Sequence, residues 1–195
     1  METNRDTKSN LKKELRKEIL KKRDGLSLNE REKFSSIIRN KICSWKVYQE
    51  CECLLCFVSL GSEVSTHRLI EDALNDGKEV YCPKVYDKEM SFLKISSMED
   101  LLPGYYGILE PKDELPLFRN YNSKVLLIMP GSVFDRKKNR IGYGKGFYDR
   151  FLEENVPKIK ELTTAALAFS LQIVDAIPVE KHDYTPEYLF TESEV

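Results

Sequence analysis

At 195 residues, with 41% apolar and 32% charged residues, the chain is long enough for one compact domain with a sizeable core. No run approaches the ~20 apolar residues of a membrane span, and the polar start METNRDTKSN lacks the apolar stretch of a secretory signal. We therefore expect a single cytoplasmic domain over 1–195 without a membrane partner, in which residues 1–9 form a flexible tail.

The first predicted element is an amphipathic helix. Its apolar residues Leu11, Leu15 and Ile19 recur every fourth position, Asn10 is a candidate cap, and Gly25 predicts the end. The segment SLNE, which follows directly, has the capping-box pattern and predicts the start of a second helix.

Apolar runs and helical patterns alternate along the rest of the chain, which predicts an α/β fold with a largely parallel sheet. A short helix should run from a cap at Thr66 to Gly77, and a later one over 146–154. Buried strands are predicted at CLLCFVSL (53–60), KVLLIMP (124–130) and TTAALAF (163–169), with shorter strands at 78–85 and 90–95 and an irregular stretch at 97–123.

Five cysteines, with no sign of export, predict reduced thiols. Cys51, Cys53 and Cys56 in CECLLC invite a metal interpretation, but the sequence has no second ligand pair at the spacing that such a site needs. Free cysteine is among the most buried residue types, so packing inside a strand is the favoured interpretation.

Basic residues concentrate in two segments of this nearly neutral chain. Residues 1–41 carry 13 Lys and Arg against 7 Asp and Glu, and residues 136–150 carry 6 against 1. Proteins that bind nucleic acid are more often basic overall, so the pattern favours a small anionic ligand.

The second basic segment contains RIGYGKGFYDRF (140–151), directly after a predicted buried strand and before a predicted helix. Its alternating glycines would let backbone amides approach an anion, and Lys145 and the helix N-terminus would add positive charge. Asp149 could hold Mg²⁺ beside phosphate oxygens. The spacing matches neither a P-loop nor a dinucleotide fingerprint, so a plain surface turn remains an alternative at this point.

The longer segment MPGSVFDRKKNRIGYGKGFYDRF resembles the signature of the 5-formyltetrahydrofolate cyclo-ligase family, also called 5,10-methenyltetrahydrofolate synthetases. Three further blocks resemble the family in the same order: KKELRKEIL, FVSLGSEVST, and ALAFSLQIV with IPVEKHD. Together they span about 12 to 183. Ile141 stands where leucine is usual and Phe147 where tyrosine is usual, and both replacements conserve shape.

The resemblance implies a three-layer α/β/α sandwich with a mostly parallel, Rossmann-like sheet. It also implies that ATP and Mg²⁺ are used to close 5-formyltetrahydrofolate to 5,10-methenyltetrahydrofolate, with release of ADP and phosphate. The expected partners are these small molecules, and a monomer is expected.

The resemblance further implies roles for particular residues. Lys145 and Arg140 would act on the transferred phosphoryl group, and Asp149 and Asp183 would hold Mg²⁺. Folate would contact Val58, Glu63, Tyr143, Gly144, Lys145, Gly146 and Phe147. ATP would contact Lys12, Lys13, Arg16, Arg140, Ile141, Gly142, Tyr143, Gly144, Lys145, Gly146, Phe147 and Tyr148.

Other interpretations stay open from the residues alone. The glycine loop could serve a phosphate-recognising isomerase or an acyl-CoA transferase on a similar scaffold, or an RNA-binding module. Tyr105 and Tyr106 could stack on a ring, although burial over the core is favoured. The role of Glu187 is open, and His67 is interpreted as an early helix residue.

Overall fold

The computed structural model describes residues 2–87, 89–104, 107–180 and 183–193, with side chains described from residue 7 onward. Its first helix, α1, spans Glu2–Asp24. The helix start predicted near Asn10 is wrong: no glycine or proline interrupts residues 2–9, and they continue the same helix where the sequence predicts a tail. The predicted end at Gly25 is confirmed.

Two further helices precede the sheet. Helix α2 (Leu28–Cys43) begins with the predicted capping box: Ser27 accepts a hydrogen bond from the Glu30 amide, and the Glu30 carboxylate accepts one from the Ser27 amide. The short helix α3 covers Lys46–Glu50.

The remaining elements alternate between strands and helices. In chain order they are β1 (Cys53–Cys56), α4 (His67–Asn75), β2 (Glu79–Tyr86), β3 (Glu89–Ile95), β4 (Leu101–Pro103), β5 (Leu109–Pro111), β6 (Lys124–Met129), β7 (Val133–Asp135), β8 (Arg140–Ile141), α5 (Phe147–Asn155), β9 (Glu161–Leu167), β10 (Ile173–Val174) and β11 (Tyr188–Phe190). The stretch 97–123, predicted to be irregular, thus contains the short hairpin β4–β5.

The main sheet has the strand order β11-β9-β6-β1-β2-β3. All neighbouring pairs are parallel except β2 and β3, which form an antiparallel pair. The mostly parallel sheet predicted from the sequence is therefore confirmed. Strand β1 ends at Cys56, earlier than predicted, because residues 57–60 leave the sheet at its carboxyl edge.

Neighbouring residues of the central strands point to opposite faces of the sheet. Leu54 and Leu126 pack in the core beneath α2 and α4, whereas Leu55 and Leu127 pack in the core beneath α5. Strands buried on both faces need a helix layer on each side. The three-layer α/β/α arrangement is therefore confirmed.

A second sheet, β10-β7-β8, carries α1 and leads into the glycine loop. Ile19 of α1 packs against Val133 and Ile141 of this sheet. A Cβ on Gly131 would lie 2.3 Å from Phe134 Cζ, so the backbone can pass this ring only without a side chain. Close packing, and not a special backbone angle, therefore explains this glycine.

The cysteines lie in the core as the packing interpretation predicts. Cys51, Cys53, Cys56 and Cys82 are buried, and Cys43 is half-buried. Burial raises the pKa of the Cys51 thiol to about 11, which keeps it protonated at neutral pH. Among the helices of the described ranges, none combines the length and the apolar character that crossing a bilayer requires.

Candidate active site

A cavity of about 820 Å³ opens where the loops after β1 and β6 leave the main sheet. Ligands of open α/β sheets bind at this carboxyl edge. The cavity wall includes every residue that the sequence analysis assigned to a ligand: Lys12, Lys13, Arg16, Val58, Glu63, Arg140, Ile141, Gly142, Tyr143, Gly144, Lys145, Gly146, Phe147, Tyr148, Asp149 and Asp183. Residues far apart in the chain are thus brought together around one space.

Helix α1 lies against the glycine loop and contributes cations to the cavity. Arg16 Nε donates a hydrogen bond of 2.8 Å to the Gly142 carbonyl. Gly144 lies beside the same guanidinium: a Cβ on this residue would be 3.5 Å from Arg16, an ordinary van der Waals distance. Lys12, one turn earlier, faces the same cavity.

The glycine loop has a backbone that other residues rarely adopt. Gly144 has a φ of 92° and Gly146 a φ of 65°, both in the left-handed region. Gly146 is also the residue before α5, and no side chain caps this helix start. The first amides of α5 and the exposed side chain of Lys145 therefore offer positive charge to an anion in the cavity.

Arg140 holds Asp149 in place. Its side chain is only 4% exposed, and its Nη2 lies 2.8 Å from Asp149 Oδ1. Its Nη1 donates to the Pro130 carbonyl, while its Nε has no hydrogen-bond partner among the described residues. In this arrangement the guanidinium is engaged with protein groups, and the role predicted for it on the phosphoryl group stays a prediction.

The two carboxylates proposed for Mg²⁺ lie at the same corner of the cavity. Asp149 Oδ1 accepts a hydrogen bond from the backbone amide of Tyr184, the residue after Asp183. Asp183 Oδ2 lies 2.6 Å from Lys12 Nζ. No group of three metal-ligating side chains occurs within the described ranges. Two carboxylates fit Mg²⁺, which completes its coordination with water and substrate phosphates.

Glu63 lines the cavity and contacts the glycine loop. Its Oε2 accepts a 2.8 Å hydrogen bond from the Leu60 amide, and its Oε1 accepts one from the Tyr143 hydroxyl. Burial raises the pKa of Glu63 even though these hydrogen bonds and Arg23 act to lower it. A carboxylate held in this way can accept paired donors from a planar heterocycle.

Comparison with known proteins identifies the family. The sequence profile of the 5-formyltetrahydrofolate cyclo-ligase family matches residues 8–192. The chain belongs to this family. The 5-formyltetrahydrofolate cyclo-ligase of Mus musculus is 32% identical, over 96% of this chain and 97% of the relative. Membership makes the protein an ATP-dependent ligase of folate one-carbon metabolism.

Two further relatives extend the comparison. The mitochondrial 5-formyltetrahydrofolate cyclo-ligase of Arabidopsis thaliana is 34% identical, over 76% of this chain and 62% of the longer plant protein. The NMR structure of Aquifex aeolicus 5,10-methenyltetrahydrofolate synthetase superposes with a TM-score of 0.81 at 30% identity, covering 94% of this chain and 91% of the relative. The fold described above is thus that of the family.

Sequence reasoning missed the apolar wall of the cyclo-ligase cavity. This wall comprises Phe57, Pro83, Val85, Met90 and Ile108. Its residues come from different strands and loops, so no local motif marks them. Phe57, Pro83, Val85 and Met90 become neighbours when β1 pairs with β2 and β2 with β3. Ile108 directly precedes β5, which contacts β2.

Glu180 was also missed, although it lies in the IPVEKHD block. Its Oε2 is 2.9 Å from Lys12 Nζ, so two carboxylates share this ammonium group. Burial alone would lower the pKa of Lys12, but the hydrogen bonds to Asp183 and Glu180 leave it raised. The position of Glu180 three residues before Asp183 was the available signal.

Four other predictions concern aromatic and polar residues. The Tyr148 hydroxyl is buried without a hydrogen-bond partner in the described part of the chain, so its predicted ATP contact stays a prediction. His67 is confirmed as the first residue of α4. Glu187 accepts a 3.1 Å hydrogen bond from the Thr164 amide and so fastens β11 to β9. Tyr105 and Tyr106 lie outside the described residues.

Proposed function

We propose that the protein closes 5-formyltetrahydrofolate to 5,10-methenyltetrahydrofolate with ATP and Mg²⁺ and releases ADP and phosphate. A formamide carbonyl is a poor electrophile. Its oxygen therefore attacks the γ-phosphorus of ATP, and ADP leaves. Nitrogen 10 of the folate then attacks the activated carbon and loses its proton, while phosphate departs with the former formyl oxygen.

The protein's part in this reaction is to hold two ligands together and to neutralise the phosphoryl group during transfer. The glycine loop and the start of α5 would cradle the phosphates. Lys145 would lie nearest to the transferred group, and Lys12 and Arg16 would reach the nucleotide from α1. Asp149 and Asp183 would hold Mg²⁺, whose charge offsets that of the phosphates.

The folate would occupy the side of the cavity beyond the glycine loop. The Glu63 carboxylate would accept the donors of the pterin's amino-pyrimidine edge, and Val58 with the apolar wall would cover the rings. The proposal depends most on one observation: one cavity is lined by a cationic glycine loop, by the half-buried Glu63 carboxylate and by an apolar wall.

The purified protein should convert 5-formyltetrahydrofolate to methenyltetrahydrofolate when ATP and Mg²⁺ are present. The product's absorbance reports the reaction, and parallel samples without ATP and without folate are the controls. A well-folded sample with no turnover, or turnover that is independent of ATP, would overturn the proposal.

Replacing Asp149 by asparagine should raise the Mg²⁺ concentration needed for half-maximal activity by about tenfold, because a neutral amide is a much weaker magnesium ligand. The amide oxygen still accepts from Arg140 and from the Tyr184 amide, so local structure is kept. Glu154→Gln, an exposed change on the same helix, is the control. An unchanged metal titration would exclude Asp149 as a ligand.

The proposal also covers the oligomeric state and the cellular location. We infer a monomer whose partners are small molecules, which sedimentation can test. The cytoplasmic location stays a prediction, because the plant relative's name assigns that protein to mitochondria.

A further inference from the structure

Arg23 is a buried cation that does not line the cavity. It lies in the last turn of α1 and is only 6% exposed. A guanidinium removed from water needs polar partners to offset its desolvation. Arg23 Nε donates a 3.0 Å hydrogen bond to Ser62 Oγ, and its Nη1 donates a 2.7 Å hydrogen bond to the Tyr143 hydroxyl. Ser62 precedes Glu63 in the chain, and Tyr143 is itself an expected site residue, although the sequence analysis gave Arg23 no role.

The Tyr143 hydroxyl continues this connection to Glu63. Because Arg23 donates to the phenol oxygen, the phenol proton is directed to its other partner, Glu63 Oε1. The Leu60 amide holds the second oxygen of Glu63. A continuous path of hydrogen bonds therefore joins the end of α1, the glycine loop and the loop after β1.

We propose that Arg23 is a positioning residue that acts through Tyr143 to orient the Glu63 carboxylate toward the folate. This inference rests on the proposed function. The planar guanidinium reaches two oxygens in fixed directions, which the single ammonium of a lysine does not reproduce. Arg23 thereby limits the orientations of Tyr143, and Tyr143 limits those of Glu63.

A merely structural role predicts a different pattern of effects. If Arg23 only fastened α1 to the rest of the molecule, its loss would displace Arg16 and Lys12 as well, and the KM for ATP would rise together with the KM for folate. A positioning role predicts a rise in the KM for 5-formyltetrahydrofolate alone. The two substrates therefore report on the two roles separately.

The test compares Arg23→Gln, Tyr143→Phe and the double variant in steady-state kinetics and in calorimetric binding of 5-formyltetrahydrofolate. Each single variant should raise the folate KM and Kd about tenfold and change the ATP KM less than about twofold. In the double variant, the second substitution should raise the folate KM by less than a further factor of about two, because both residues act on the same path of hydrogen bonds. Arg31→Gln is the control, since Arg31 contacts the same loop at the Gly61 carbonyl but none of the three residues.

Additive effects in the double variant, or equal rises in both KM values, would overturn the proposal. Tyr143→Phe removes one oxygen from a partly exposed side chain, so it keeps the test valid if Arg23→Gln fails to fold. Absence of turnover in the unmodified protein would count against the proposed function. Normal turnover with an unchanged folate KM in Tyr143→Phe would refute only the positioning role.

Discussion

Replacing Lys145 by alanine should lower kcat at least ~10-fold, which corresponds to ~1.4 kcal/mol of lost transition-state stabilisation. The side chain is exposed within the glycine loop, between two glycines with left-handed backbone. Its ammonium can therefore reach a phosphoryl group in the cavity. Charge on the transferred group is what the site must neutralise, so the loss should appear in kcat more than in the folate KM.

Two further variants serve as controls for this measurement. Lys137→Ala removes an exposed cation from the nearby turn at 136–139 and should leave kcat unchanged. Lys145→Arg keeps the charge and should recover part of the activity. If alanine at position 145 gave the kinetics of the unmodified protein, the role assigned to Lys145 would be withdrawn.

Replacing Glu63 by glutamine should raise the KM for 5-formyltetrahydrofolate by ~10- to 100-fold, because hydrogen bonds to a charged group contribute about 1.5–3 kcal/mol each. The glutamine keeps one oxygen and nearly the same shape, so the fold should survive. The KM for ATP should change little, since the proposal assigns Glu63 to the folate and not to the phosphates. A folate KM within about twofold of the original would exclude Glu63 as the folate-binding carboxylate.

The pH dependence of folate binding gives a second measurement on the same variant. Burial raises the pKa of Glu63, while Tyr143, the Leu60 amide and Arg23 oppose the rise. The carboxylate form binds folate in the proposal, so affinity should be full above this pKa and fall as the pH drops through it. The fall should begin at a higher pH than for an ordinary glutamate. Glu63→Gln should abolish this loss of folate affinity at low pH. A loss that persisted in the variant would come from the titration of another group.

Local signals in the sequence determined several parts of this protein. The capping box at Ser27 and the helix end at Gly25 depend on neighbours within four residues, and the structure contains both. The buried strands and the glycine loop could likewise be identified from consecutive residues. Such features are predictable because short-range sterics and hydrogen bonds decide them.

Only the tertiary structure determined which of these elements contact one another. Arg23 and Tyr143 are 120 positions apart, and their hydrogen bond exists only because α1 packs on the small sheet that carries the glycine loop. The requirement for glycine at position 131 likewise arises only because the folded chain packs the Phe134 ring against it. Residue periodicity shows which face of an element is buried but not which element covers it. The partners of charged and polar side chains therefore follow from packing between distant segments.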